Sequence, residues 1–240
     1  MAIHVFWGHG LPHYVRNDDA SFTSDLLMNL VFDFGAVLFR WQPELLMQAH
    51  FADRATSAQA ARELVRAFLH HPDWQSFDRG AIAEHDLVSR TSERLGLQPA
   101  AVLALLEGIE AHLTPLQPTV ALLERLCQRR RERADVRLYY LSNMPVRFAR
   151  LLERRHDLAS WFDGGVFSGD VHLAKPEPGI YQLLQQRYAL DAAQTVFIDD
   201  MQANVDAAQA LGWRGIRFES AAQVEMDLAS VAGLAPAHRQ

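Results

Sequence analysis

Five short apolar runs do most to limit what this chain can fold into: residues 30–34, 136–141, 165–167, 195–198 and 215–218. They do not alternate between apolar and polar positions, and several of their residues are β-branched or aromatic. A strand with one wet face alternates, whereas a strand covered on both faces does not, so these runs fit a buried parallel sheet. Helical periodicity separates the later runs; after Pro178, the residues Ile180, Leu183, Leu184 and Tyr188 fall on one helical face. Strands alternating with helices predict an α/β fold with a doubly wound parallel sheet.

One connection is too long for a simple crossover. Asp33 and Ser142 are 109 positions apart, and residues 42–115 between them are rich in helix formers without a convincing strand. This segment reads as an inserted α-helical cap domain, with the core formed by residues 28–41 and 116–240. The stretch ERLG at 93–96 marks a helix stop, and Pro115 and Pro118 mark the return to the core. Residues 1–27 fit no element and read as a leader outside the core. His4, His9 and His13 suggest a metal less readily than they suggest such a leader, and Met28 is an alternative start to Met1. The opening has neither the cationic start nor the apolar stretch of a secretory signal.

Composition narrows the partners. With 23 Lys and Arg against 29 Asp and Glu the net charge is −6, which argues against nucleic acid and anionic membranes. Apolar residues make up 49% of the chain, enough for a sizeable core, yet no apolar run reaches the roughly 20 residues of a membrane span. Cys127 is the single cysteine, so no disulfide framework exists. A reducing, cytoplasmic setting is the expectation, as a monomer or homodimer.

Four spots carry polar side chains at the carboxyl ends of the expected strands or in the loops beyond them, the edge where open α/β sheets bind ligands. In NLVFDFG, Asp33 ends the first apolar run and Gly35 follows. In LSNMP, Ser142 and Asn143 leave the second run just before a helix start, where a hydroxyl, an amide and backbone N–H groups suit a phosphate. In LAKPEPGIY, Lys175 precedes two prolines that stiffen its loop, which suits a fixed point cation. In FIDDMQAN, Asp199 and Asp200 stand side by side after the fourth run. Adjacent carboxylates repel unless a cation sits near them, and such oxygen ligands suit Mg²⁺. Taken singly, the first three spots read more readily as a turn, a helix cap or a surface charge, and the fourth equally so as a helix cap.

Taken together, in this order and with an insert after the first, the four spots resemble the haloacid dehalogenase-like hydrolase superfamily across roughly residues 29–218. The resemblance implies a Rossmann-like core with a helical cap and Mg²⁺-dependent hydrolysis of a small phosphorylated metabolite. It further implies Asp33 as nucleophile, Ser142 and Asn143 at the phosphate, and Lys175 as charge stabiliser. The metal would be held by Asp33, the Gly35 carbonyl, Asp199 and Asp200, with Asn204 in support and Asp200 ranked above Asp199 as direct ligand. The DFGxVLF form, Asp78–Gly80, LSNM and the KPEPGIY–FIDD pair look most like the branch containing α-glucose-1-phosphate phosphatases, which points to a sugar phosphate. The cap residues expected to face the site are Asp78, Arg79 and His85, with Trp74, Phe77 and Glu84 as further candidates. His70 and His71 are expected on the surface, and Cys127 in a helix core.

One departure matters. Phosphatases of the superfamily usually carry a second Asp two residues after the nucleophile, which protonates the leaving oxygen; here that place is Gly35. Such acid catalysis is typically worth about 10²–10⁴-fold. Either turnover depends steeply on the leaving group, or a cap residue such as Asp78 or His85 supplies the proton. Dehalogenases of the superfamily also lack this Asp, so C–halogen hydrolysis and a non-catalytic binding role stand as alternative readings.

Overall fold

A computed structural model describes residues 27–234; the leader with its three histidines lies outside them except for Leu27. Along the described chain the elements are β1 (Met28–Phe32), α1 (Pro43–His50), α2 (Ala58–Leu69), α3 (Pro72–Asp78), α4 (Glu84–Leu95), α5 (Pro99–His112), α6 (Gln117–Arg133), β2 (Val136–Ser142), α7 (Val146–Arg155), α8 (Leu158–Trp161), β3 (Gly164–Phe167), α9 (Ser168–Val171), α10 (Pro178–Tyr188), β4 (Thr195–Asp199), α11 (Gln202–Ala210), β5 (Arg214–Arg217) and α12 (Ala221–Val231).

The strands form one parallel sheet in the order β3-β2-β1-β4-β5. Successive residues of a strand point to opposite faces, and both faces are dry here. Leu30, Phe32, Leu138 and Ile198 enter a core layer with Leu123 and Leu126 of α6 and Val224 of α12. Val31, Tyr139, Leu141 and Phe197 enter the opposite layer with Ile180, Tyr181 and Leu184 of α10 and Ala208 of α11. This two-sided cover is why the strands show no polar alternation.

Each of the five apolar runs overlaps a strand, but β1 lies two residues earlier than its run suggests. The Phe34 carbonyl accepts the N–H groups of Val37, Leu38 and Phe39, so the chain already turns there. Phe34 is apolar because its ring packs on Phe39, Tyr140 and Phe167, not because it belongs to a strand. The winding direction reverses at β1: β2 and β3 lie on one side, β4 and β5 on the other. Such a reversal opens a crevice at the carboxyl ends of the central strands.

Helices α1 to α5 pack on one another around Phe51, Phe68 and Trp74. Ser57 caps α2 by accepting the Ala60 N–H at 3.1 Å, and Gly96 ends α4 in the left-handed region at φ 59°, a conformation costly for a residue with a Cβ. The chain enters and leaves this helical segment through a hydrogen-bonded stem, with Arg40 N–H to the Thr114 carbonyl and Leu116 N–H to the Leu38 carbonyl, both 2.8 Å. Among the described residues no helix is long and apolar enough to cross a membrane.

Candidate active site

The sheet brings four of the polar side chains to one place. Asp33 directly follows β1, and its N–H still bonds the Ile198 carbonyl at 2.9 Å. Ser142 is the last residue of β2, Asp199 the last of β4, and Asp200 comes next. From the loop before α10, Lys175 reaches in between: its Nζ lies 2.8 Å from Asp33 Oδ1 and 2.6 Å from Asp199 Oδ2. All three are nearly removed from solvent, at 7%, 4% and 0% exposure for Asp33, Lys175 and Asp199. Burial pulls the lysine down, but Asp199 and Asp33 outweigh it and hold the ammonium above its ordinary range.

The remaining contacts separate the two adjacent aspartates. Asp199 Oδ1 accepts the Met201 N–H at 2.8 Å, Asn204 Nδ2 reaches both of its oxygens at 3.0 and 3.1 Å, and Lys175 takes Oδ2. Three donors make four contacts to a carboxylate with about four lone-pair sites. Asn204 thus contacts Asp199 directly, and Tyr181 steadies it by donating to its carbonyl at 3.0 Å. Asn143 lines the cavity and has a second use as well. Its Nδ2 donates to the Lys175 carbonyl at 2.9 Å and its Oδ1 accepts the Lys175 N–H at 2.8 Å, so its amide fixes the lysine loop.

The donor set fits a small hard cation. One oxygen each from Asp33, Asp199 and Asp200 lies within 4.8 Å of the others. Burial pushes Asp33 up to about 7; Lys175 opposes the shift and Asp199 adds to it. Asp200 is raised as well, by burial and then by Asp199. Three crowded carboxylates with one ammonium leave net negative charge that a divalent cation would neutralise, and all the donors are oxygen. With Asp199 already surrounded by donors, Asp33 and Asp200 keep more oxygen lone pairs free for a cation.

Above this cluster lies a cavity of about 230 Å³. Asp33, Gly35, Ser142, Lys175 and Asp200 form its floor, while Trp41, Val65, Leu69, Trp74, Ile109 and Phe148 form much of its wall. Of the expected cap residues, Asp78 lines the cavity. Arg79 does not: its guanidinium pairs with Glu177. His85 is exposed outside the cavity, 3.4 Å from Asp86. Glu84 pairs with Arg147 of α7 at 2.8 Å, and the Phe77 ring packs on Phe148. His70, expected on the surface, is exposed but also lines the cavity. Cys127 is buried, as expected. Trp74, a further cap candidate, lines the cavity; the rest of the apolar wall was not expected, because Val65, Leu69 and Ile109 carry the same helical periodicity as residues that merely fill a core.

Comparison with known proteins agrees with this geometry. The model for haloacid dehalogenase-like hydrolases matches residues 30–212. The chain belongs to this family and is a hydrolase. It is 27% identical over 203 residues to a sesquiterpene phosphatase of Aspergillus oryzae, covering 85% of this chain and 95% of that one. It is 34% identical over 77 residues to a phosphorylated carbohydrates phosphatase of Thermotoga maritima, a match spanning 32% of this chain and 36% of the relative. A haloacid dehalogenase-family enzyme from Bacteroides thetaiotaomicron, solved with magnesium and inorganic phosphate, superposes with a TM-score of 0.63 at 20% identity, over 81% of this chain and 95% of the other.

Proposed function

We propose that the protein is a Mg²⁺-dependent phosphatase that cleaves phosphomonoesters of a predominantly apolar alcohol, with Asp33 as the nucleophile. The observation that carries this reading is the buried cluster itself: Asp33 directly after β1, with Lys175 at 2.8 Å and two further carboxylates within reach of one cation. Attack by an Asp33 oxygen on phosphorus releases the alcohol and leaves an aspartyl-phosphate; water then attacks that phosphorus and frees Asp33 and inorganic phosphate. Mg²⁺ held by Asp33, Asp200 and the Gly35 carbonyl would offset the charge between nucleophile and phosphate, which at about 4 Å amounts to roughly 4 kcal/mol at an effective dielectric of 20. Lys175 stabilises charge at the transferring group, Asp199 and Asn143 hold Lys175 in place, and Ser142 donates to the phosphate. Residues 42–115 act as the cap that selects the substrate.

The wall supports an apolar organic group over the sugar expected from the branch resemblance. Among the described lining, His70 and Asp78 are the only polar side chains contributed by residues 43–112. A sugar needs partners for several hydroxyls, and its desolvated polar groups would go unpaired against Trp41, Leu69 and Trp74. The sesquiterpene phosphatase, matched over nearly its whole length, points the same way. C–halogen hydrolysis is less well supported, since it leaves the Asp199–Asp200 pair with no cation to hold. The test is phosphate release from farnesyl monophosphate and glucose 1-phosphate, with Mg²⁺ and with EDTA. Mg²⁺-dependent release that favours the farnesyl ester is expected. A preference for the sugar would overturn the substrate class, and no phosphate release from any ester would overturn the phosphatase reading.

A further inference from the structure

The phosphatase reading leaves the leaving oxygen without a proton. Gly35 has no side chain where the family's usual acid stands, and Lys175 is tied between two carboxylates. Resting on that reading, we infer that Asp78, contributed by α3, is the general acid that protonates the departing alcohol and then the base that activates water.

The placement of Asp78 carries the argument. It lines the cavity that Asp33, Ser142 and Lys175 floor, and its turn is fastened to the core at several points. The Asp78 carbonyl accepts from Ser168 Oγ at 2.5 Å, and Ser168 Oγ in turn accepts the Met144 N–H at 2.8 Å, next to the Ser142 loop. Arg79 pairs with Glu177, two residues beyond Lys175, and the Arg79 carbonyl lies 2.8 Å from His172 Nδ1. Gly80, at φ +65°, approaches the core so closely that a Cβ would lie 2.5 Å from the Gly169 carbonyl. These ties hold the Asp78 turn against the loops that bear Ser142 and Lys175.

A helix-stabilising role does not account for this residue. Asp78 is the last residue of α3, where the helix dipole disfavours negative charge. Burial pushes its carboxyl up to about 8, against the opposing effects of Arg79 and a hydrogen bond from Trp74. The upward shift favours the protonated carboxyl, the form that donates. Around the cavity it shares space with Asp33, Lys175, Asp200 and His70.

The proton balance closes over two steps. As an Asp33 oxygen bonds to phosphorus, the P–O bond to the alcohol breaks and the leaving oxygen takes the Asp78 proton. The Asp78 carboxylate then accepts a proton from the water that attacks the aspartyl-phosphate. Asp33 is released as a carboxylate and Asp78 ends protonated again.

The test compares wild type with Asp78→Asn on phosphate esters ranging from aryl esters of acidic phenols to primary alkyl esters, at saturating Mg²⁺. An acidic phenol departs without a proton, so its ester also reports whether the variant is folded. The expected result is a loss of about 10²–10⁴-fold in kcat for alkyl esters with only a few-fold change for the most acidic phenol, so that the dependence on leaving-group pKa steepens. Wild-type turnover with equal losses across the series, or with no loss, overturns the assignment of Asp78 alone. No turnover of any ester by the wild type overturns the assignment together with the phosphatase reading.

Discussion

Lys175 Nζ lies 2.6 Å from Asp199 Oδ2, deep in the protein, and the same nitrogen reaches Asp33 at 2.8 Å. The lysine is therefore part of the fold's charge balance as well as its chemistry. Lys175→Met should destabilise the metal-free protein by about 3–5 kcal/mol at pH 8, because two carboxylates lose their buried counter-charge. The cost should shrink at lower pH as the orphaned carboxyls take up protons. Urea unfolding at pH 8 and pH 5.5 checks this. Equal stability of variant and wild type at pH 8 would place the Lys175 ammonium in solvent.

Asp33→Asn should behave in the opposite way. Asp33 is already pushed up to about 7 in the fold, so a neutral amide of the same shape removes crowding at little structural cost. Turnover should fall by at least about 10³-fold, since an amide is a poor nucleophile, while the melting temperature stays the same or rises. A variant that keeps more than a few per cent of activity would disprove the nucleophile.

The two adjacent aspartates should separate in metal titrations. Asp200→Asn removes an available ligand and should weaken Mg²⁺ binding by about tenfold or more. Asp199→Asn should weaken metal binding less but lower kcat, because it frees Lys175 and Asn204 from their shared anchor. Calorimetric titration of Mg²⁺ into each variant is the measurement, and a larger affinity loss at Asp199 would reverse the assignment.

Asp78 should leave a signature in stability that needs no substrate. Its pKa in the fold, about 8, lies above its ordinary 3.8. Below pH 4 the group is protonated in both states, and its contribution to stability is fully present. Between pH 4 and 8 the unfolded chain releases the proton that the folded chain keeps, so stability falls as pH rises, by at most about 1.4 kcal/mol per unit. Asp78→Asn cannot titrate, so it should gain in melting temperature relative to wild type from pH 5 to 8.5. Parallel curves over that range would mean that the Asp78 carboxyl is ionised throughout.

Much of the molecule was legible in the chain itself. The absence of alternation in the five runs announced a sheet buried on both faces, and the long gap after Asp33 announced the helical insert, because side-chain period and helix propensity are local properties. The residues of the floor were legible for a related reason. Asp33, Ser142, Lys175 and the Asp199–Asp200 pair sit at or beyond strand ends, and in a parallel sheet those ends meet on one edge. Where β1 stops was not legible, since Phe34 is as apolar as a strand residue and only its packing shows that it belongs to a turn.

The rest required the tertiary structure. Asp78, Arg79 and His85 are all polar residues near one helix end or the next, yet only Asp78 lines the cavity; Glu177 draws Arg79 away and solvent takes His85. Asp199 and Asp200 are identical in sequence terms, and their difference comes from donors that approach from Lys175, Asn204 and the Met201 backbone. The wall of Trp41, Leu69, Trp74 and Phe148 is assembled from segments far apart in the chain. Sequence pattern settles which residues are apolar or charged and how often they recur. Which of them share a cavity, and which carboxylate keeps a free lone pair, depends on contacts between elements that no local pattern encodes.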